Sequence, residues 1–115
     1  MYLNTREYYV YITTNYKKTV LYTGVTNNLQ QRITEHYLDR GNLETFTGKY
    51  NAFYLIYYEC TRYVNNALAR EKEIKSFSRN RKEELINSFN PHWKFLNFEV
   101  LGEWPPKNAV HRRDK

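Results

Sequence analysis

The sequence predicts an α/β protein of the α+β type, in which a three-stranded antiparallel β-sheet is flanked by helices. Two stretches near the N-terminus alternate β-branched and aromatic residues, which is typical of strands. A third stretch, residues 52–60, is apolar on both faces, and helical patterns precede and follow it. The 115 residues suffice for one such domain, because a second core would need more chain.

The first two strands are predicted over YYVYIT, residues 8–13, and TVLYTGV, residues 19–25. If residues 15–18 form the hairpin loop, residues whose numbers add up to 33 face each other. Tyr11 then lies directly opposite Tyr22 on one face of the sheet. The hairpin is therefore expected to bring two phenols together.

A first helix is predicted over residues 28–38. Thr26 and Asn27 are suitable N-caps, and Gln30 stands three residues after Asn27, as in a capping box. Arg32 and His36 are expected along the border of the apolar face. That face consists of residues at intervals of four: Leu29, Ile33 and Tyr37.

Residues 39–51 are predicted to form a loop, because they contain two glycines and show little periodicity. The apolar stretch 52–60 suits a central strand that is covered on both faces. Cys60, at the end of this strand, is expected to be a small buried hydrophobic residue. As the sole cysteine it excludes an intramolecular disulfide and agrees with a reducing cytoplasm.

A second helical region is predicted over residues 65–89, with a break near Ser78–Asn80. Asn90 ends it, because a residue that precedes proline disfavours the helical conformation. After Phe98 the chain is rich in glycine, proline and scattered charge. We therefore expect a domain over residues 1–98 and a C-terminal tail of low order over residues 99–115.

Glu71 interrupts the apolar stripe of the second helical region. The expected stripe consists of four residues: Val64, Ala67, Leu68 and Ile74. Burying an unpaired carboxylate among them would be costly, so Glu71 needs a cationic partner, a metal ion or a wet cleft. Arg32 and Lys75 are the candidate partners for a salt bridge. Three neighbours are expected on the opposite, solvated side: Arg70, Lys72 and Glu73.

The charge of the chain favours a polyanionic partner. Lys and Arg outnumber Asp and Glu by 18 to 12, and residues 62–82 alone hold seven cations against two acids. This stretch is either a track for nucleic-acid phosphates or an ordinary solubilising surface. The sequence has no membrane-length apolar run and no export signal, so we expect a soluble, cytoplasmic protein. Phosphate-loop, dinucleotide, nucleophile-elbow and paired-cysteine motifs are absent, which disfavours a nucleotide-cofactor enzyme.

Taken in order, five pieces of the sequence resemble the GIY-YIG nuclease superfamily. They are YVYI, LYTGVTNNLQQRITEH, the third strand, ALAREKEIK and the Asn-Pro pair at residue 90. The resemblance spans residues 8–96 and is closest to the small stand-alone bacterial domains related to the N-terminal domain of excinuclease C. Residues 9–11 stand where the family has GIY, and residues 22–24 stand where it has YIG. Tyr9 replaces the first glycine of that pattern, and Thr23 replaces its isoleucine.

The resemblance implies the GIY-YIG fold and a set of catalytic residues. The matching positions are Tyr11, Tyr22, Arg32, His36, Glu71 and Asn90. One of the two tyrosines would position or deprotonate the attacking water, and Arg32 would bind the phosphate oxygens. Glu71 would hold a single divalent ion, Mg²⁺ or Mn²⁺, and His36 would carry a proton or bind a phosphate. Substrate contacts are expected from Gly24, Lys72, Lys75, Arg79 and Arg81.

The function that the resemblance implies is a metal-dependent endonuclease acting on nucleic acid, with DNA as the favoured partner, in repair or recombination. A first alternative is a DNA- or RNA-binding module of the same fold that cuts little or not at all alone. A second is an interaction domain whose positive face docks an acidic protein. The presence of both tyrosines, Arg32, Glu71 and Asn90 favours the enzyme.

Overall fold

A computed structural model describes residues 6–107 of the chain. Within this range one antiparallel sheet is formed by β1 (Tyr8–Thr14), β2 (Leu21–Thr26) and β3 (Tyr54–Thr61), in the order β2-β1-β3. The helices of the same range are α1 (Leu29–Leu38), α2 (Phe46–Tyr50), α3 (Val64–Lys75), α4 (Arg79–Phe89) and α5 (Asn97–Leu101). The predicted fold class, a three-stranded antiparallel sheet flanked by helices, is confirmed. No helix in the described part of the chain is long and apolar enough to cross a membrane.

The register of the first hairpin differs from the prediction. Tyr11 pairs with Gly24, and Tyr22 pairs with Thr13, so Tyr11 and Tyr22 are diagonal neighbours and do not face each other directly. The loop is longer than expected, because the side-chain oxygen of Asn15 accepts hydrogen bonds from the backbone of residues 19 and 20, at 2.8 and 3.2 Å. Since the pairing shifts by two residues, both phenols stay on the predicted face.

The prediction that the third strand is central is wrong, because β1 is the central strand and β3 lies at an edge. Two buried asparagines cover that edge. Asn97 accepts a hydrogen bond from the amide of Leu55 at 2.8 Å and donates one to the carbonyl of Phe53 at 2.9 Å. Asn90 donates to the carbonyl of Ile56 at 3.0 Å. Side-chain amides thus replace a fourth strand and shield an apolar edge from pairing with another chain.

The sheet is covered on both faces. One face packs against α3 and α4 and contributes Val10 and Ile12 to a core with Ile56, Ala67, Ile74 and Ile86. The opposite face packs against α1 and the C-terminal segment in a second core: Tyr11, Leu29, Ile33, Leu55 and Leu96. Burial of these two apolar faces is the main force that holds the helices on the sheet.

Two local features differ from the sequence prediction, and a third agrees with it. The N-cap of α1 is Asn28, whose side chain accepts from the amide of Gln31, so the expected cap at Asn27 is wrong by one residue. The predicted loop over residues 39–51 contains α2, which Thr45 caps at the amide of Gly48. The predicted break in the second helical region is confirmed, with Ser78 as the N-cap of α4.

Helix α5 crosses the expected boundary at residue 98. Beyond the helix, Trp104 packs against the core around Tyr11, and its ring lies 5.1 Å from that of Tyr37. The described part of the expected tail therefore belongs to the packed structure. Residues 108–115 of that tail lie outside the described residues.

Two expectations about burial are corrected. Cys60 is exposed and does not fill the core. On α3 the buried stripe is centred on Ala67 and Ile74, whereas Leu68, about 100° further round the helix, is 48% exposed. Val64 is exposed as well. Glu71 lies between the two buried residues of the stripe, as predicted, and its side chain is 20% exposed.

Candidate active site

The candidate site is built around Tyr11, whose ring leaves β1 and lies across β2. Gly24, its partner on β2, makes this possible, because a Cβ atom at residue 24 would lie 2.6 Å from Cζ of Tyr11. Tyr11 is 1% exposed, and Gly24 is buried beneath it. The glycine therefore has a packing role, which the sequence analysis did not assign to it.

The phenol of Tyr11 is the first link in a chain of hydrogen bonds. Its hydroxyl lies 2.8 Å from Nε2 of His36, and Nδ1 of His36 lies 3.2 Å from the hydroxyl of Thr47 on α2. All three residues are buried. Burial, and next the nearby charge of Arg32, lower the pKa of His36 from 6.5 to about 4. At neutral pH the imidazole is thus uncharged, with one nitrogen donating and the other accepting.

Burial and neighbouring groups shift the pKa of Tyr11. Burial, and next the neighbouring Tyr22, raise the pKa of Tyr11 well above its usual value of 10. Arg32 acts in the opposite direction, and Glu71 adds to the rise. The phenol is therefore protonated at neutral pH. A guanidinium from α1 and a carboxylate from α3 both act on it, although the two helices cover opposite faces of the sheet.

Tyr22 stands between Tyr11 and a pocket. Its ring centroid is 6.4 Å from that of Tyr11 and 5.6 Å from that of His36. Beyond it the ring of Phe46 is nearly parallel, at 6.0 Å and 28°. The pocket has a volume of about 410 Å³ and is lined by Tyr22, Arg32, Glu35, His36, Asp39, Thr45, Phe46 and Thr47.

Arg32 and Glu71 supply the charges of the site. Arg32 donates from Nη1 to Oε1 of Glu35 at 2.9 Å, and its side chain is 40% exposed. Glu71 pairs with Lys75, one turn further along α3, at 3.0 Å. Lys75 is one of the two salt-bridge partners that the sequence suggested for Glu71. The carboxylate nevertheless remains partly accessible.

A divalent cation at this place would have few protein ligands. Among residues 6–107 no three His, Cys, Asp or Glu side chains converge in a way that could hold a metal ion. Glu71 offers one hard, partly exposed carboxylate whose charge acts on Tyr11. Such a donor fits Mg²⁺ or Mn²⁺, which retain water and take substrate oxygens as further ligands.

Asn90, also predicted to be catalytic, lies at the outer edge of the sheet. It is the C-cap of α4 and lies beside β3, whereas Tyr22 belongs to the strand on the opposite side of β1. Its side chain donates to the carbonyls of Ile56 and Lys94 and accepts from the amide of Lys94. These bonds hold the sheet edge and the turn after α4.

The predicted substrate-binding cations are spread over α3 and α4. Lys75 is engaged by Glu71, and Arg79 by Glu83 at 2.9 Å. Arg79 also donates to the backbone carbonyls of residues 18 and 19 in the hairpin loop. The other two are exposed: Lys72, and Arg81, whose guanidinium lies over the ring of Phe77.

A larger cavity of about 580 Å³ lies between β3 and α3 and holds none of the predicted site residues. Arg70 lines it and bonds to Glu59 at 3.1 Å and to Glu73 at 2.8 Å. The expectation that Arg70 is simply solvated is therefore wrong. The smaller pocket is the candidate site, because its lining includes Tyr22, Arg32 and His36.

The sequence analysis missed the contribution of α2. Thr47 and Phe46 lie in a segment that was predicted to be a loop. Two signals in the sequence could have identified this helix: Thr45 as a possible N-cap, and the spacing of four between the aromatic residues Phe46 and Tyr50.

Several known proteins are similar to this chain. The family described as "GIY-YIG catalytic domain" matches residues 7–84. The chain is similar to the UPF0213 protein of Staphylococcus haemolyticus, with 39% identity over 80 residues, or 70% of this chain and 94% of the relative. The UPF0213 protein of Natronomonas pharaonis is 38% identical over 80 residues, which cover 70% of this chain and 91% of the relative.

A solved structure is also similar. It is the solution NMR structure of a UPF0213 protein from Bacillus halodurans, with a TM-score of 0.51 and 26% sequence identity. The match covers 80% of this chain and 95% of that one.

Proposed function

Because this chain belongs to the GIY-YIG nuclease family, whose substrates are nucleic acids, we propose that it is a metal-dependent endonuclease that hydrolyses phosphodiester bonds in DNA. One observation carries the proposal. Tyr11, at the centre of the site, is hydrogen-bonded to His36, and the charges of both Arg32 and Glu71 act on its pKa. The substrate that we propose is branched, damaged or otherwise non-duplex DNA, as met in repair or recombination.

Hydrolysis of a phosphodiester makes three demands on such a site. The negative oxygens must be neutralised, a water must be positioned and activated, and the leaving oxygen must be stabilised. Groups of the chain answer the first two demands, and the divalent ion that Glu71 would hold would answer the third.

Arg32 answers the first demand. Its guanidinium is permanently charged and offers five N–H donors. One N–H of Nη1 is engaged by Glu35. The remaining donors can bind the non-bridging oxygens of a phosphate in a two-pronged manner that lysine does not reproduce. Lys72 and the other cations of α3 and α4 would attract the backbone of the strand over a longer range.

Tyr11 and His36 answer the second demand. In the tautomer in which Nδ1–H donates to Thr47, Nε2 of His36 accepts the proton of Tyr11. The lone pairs of the phenol oxygen can then accept from Arg32 and orient a water beside it. When the water attacks, its proton passes to Tyr11 as the phenol proton moves to His36. The low pKa of His36 makes this charged state short-lived. After the P–O bond has broken, His36 returns its proton to Tyr11, and the phenol gives up the extra proton, by way of water, to the leaving oxygen.

Glu71 would hold the divalent ion, which when bound supplies positive charge for the scissile phosphate. The ion pair with Lys75 keeps the Glu71 carboxylate oriented and must loosen when a cation binds. That ion pair also favours the alternative function, a nucleic-acid-binding module that cuts only with a partner, because it satisfies Glu71 without a metal.

The test is a cleavage assay with a matched pair of variants. Supercoiled plasmid, branched DNA and single strands are incubated with the protein in Mg²⁺, Mn²⁺ or chelator. We expect metal-dependent cutting that Glu71→Gln abolishes and Glu73→Gln retains, because Glu73 lies on the same helix but is 54% exposed and pairs with Arg70. If both variants bind DNA as the wild type does and none of the three proteins cuts it, the binding module is the correct function.

A further inference from the structure

Three aromatic rings form a continuous surface beside the candidate pocket. We call Tyr22, Phe46 and Tyr50 the aromatic shelf. Phe46 stacks on Tyr22 at 6.0 Å, and Tyr50 lies 4.9 Å from Phe46, one turn further along α2. Phe46 is 45% exposed and Tyr50 is 41% exposed, so large apolar faces point to solvent at the mouth of the site. Adjoining exposed rings of this kind mark binding surfaces more often than isolated ones do.

Helix α2, which carries two rings of the shelf, packs closely against the end of α1. Gly48, on the buried side of α2, sits so close to its surroundings that a Cβ atom there would lie 2.6 Å from the carbonyl oxygen of Asp39. Thr47 is buried and reaches His36. The helix therefore packs on the end of α1, and its aromatic face points to solvent.

The charges around the pocket favour a neutral group over a phosphate. Arg32 is its single cation, whereas Glu35 and Asp39 contribute two carboxylates, and His36 is neutral. A phosphate inside the pocket would meet Arg32 as the one cation of the lining, and Glu35 already pairs with Arg32. A nucleobase is flat and uncharged and carries N–H donors, so aromatic walls and carboxylate oxygens both suit it. Lys49, whose ammonium lies 5.3 Å from the ring centre of Tyr50, adds a cation on the outer side, where the strand backbone would pass.

We propose that the aromatic shelf and the adjoining pocket bind an unpaired nucleobase of single-stranded DNA next to the phosphate held by Arg32. This inference rests on the proposed function and specifies its substrate. A base inside a duplex is stacked on both sides and cannot present its face to Phe46, so the subsite selects DNA that is single-stranded or locally opened.

The subsite is tested by binding without metal, so that cleavage plays no part. Fluorescence anisotropy is measured in chelator with a short labelled single strand, the same strand made abasic, the matching duplex and an RNA of the same sequence. The variants are Phe46→Ala, Phe46→Trp and Tyr50→Ala. Phe89→Ala is the control, because Phe89 is also 45% exposed but lies on α4 against Tyr57 and Tyr58.

We expect Phe46→Ala to weaken binding of the single strand about tenfold or more, as loss of a stacking ring does, with a smaller loss for Tyr50→Ala. Phe46→Trp and Phe89→Ala should bind as the wild type does, and the abasic strand should be insensitive to every variant. Equal binding of the abasic and normal strands, or equal losses in Phe46→Ala and Phe89→Ala, would overturn the subsite. Tighter Phe46-dependent binding of the RNA would overturn its assignment to DNA. Cleavage that fails while these results hold would count against the endonuclease alone.

Discussion

Replacing His36 with glutamine tests whether the centre of the site is neutral, as its burial requires. His36 is 3% exposed, and its pKa is about 4 in the folded chain against 6.5 when solvated. Between these two values the unfolded chain binds more protons than the folded chain. The stability that depends on a neutral His36 is thus fully present above pH 6.5 and is lost as the pH falls towards 4.

The size of the effect follows from the two pKa values. At 1.36 kcal/mol for each pKa unit, the free energy of unfolding should fall by about 3 kcal/mol from neutral pH to pH 4 because of this residue alone. Other groups titrate in the same range, so the measured quantity is the difference between proteins. Glutamine does not ionise but can still hydrogen-bond to Tyr11.

Urea unfolding at a series of pH values provides the assay. The wild type should lose about 3 kcal/mol more than His36→Gln on acidification. His92→Gln is the matched control, because it makes the same substitution at an exposed histidine. If His36→Gln and the wild type lose the same stability on acidification, the imidazole is not held neutral in the folded state, and the proton path through Tyr11 loses its basis.

Two further substitutions test the packing that positions the site. Gly24→Ala should lower the free energy of unfolding by about 1–3 kcal/mol, because the new methyl group and the ring of Tyr11 cannot share the same space. An unchanged urea midpoint would mean that the ring can move aside at no cost. Asn97→Ala should cost about 2 kcal/mol or more, because it leaves the amide of Leu55 and the carbonyl of Phe53 buried without partners. Hydrogen exchange should then accelerate at the Leu55 amide, and unaltered protection there would contradict the role given to Asn97.

The sequence predicted well where a period carries the information. Alternation along β1 and β2 placed both phenols on one face, and the helical period placed Glu71 between Ala67 and Ile74. Both results depend only on repeats of two residues and of 3.6 residues. The resemblance then predicted that Arg32 and Glu71 share a site with Tyr11, and the charges of both act on the pKa of Tyr11.

The errors occurred where single side chains bond to the backbone. Asn15 extends the hairpin loop and shifts the register by two residues, and no periodicity signals such a bond. The third strand seemed central because it is apolar on both faces. It is instead an edge strand. Asn90 and Asn97, which lie far from it in the sequence, shield its outer side. Asn90 ends α4, as the proline that follows it predicted, but its amide also bonds to a strand 34 residues away, and no local pattern signals that bond.

The asparagines that cover β3 decide where this domain can be truncated for fusion to another protein. The family match ends at residue 84, yet residues 90 and 97 occupy the hydrogen-bonding positions of the outer strand. A fragment cut at the end of the match would carry an open row of donors and acceptors along an apolar strand. Such a row recruits a strand from a neighbouring molecule, so the trimmed fragment would be prone to self-association. The smallest transferable unit therefore extends through Trp104, which packs against the same core as Tyr11 and Tyr22.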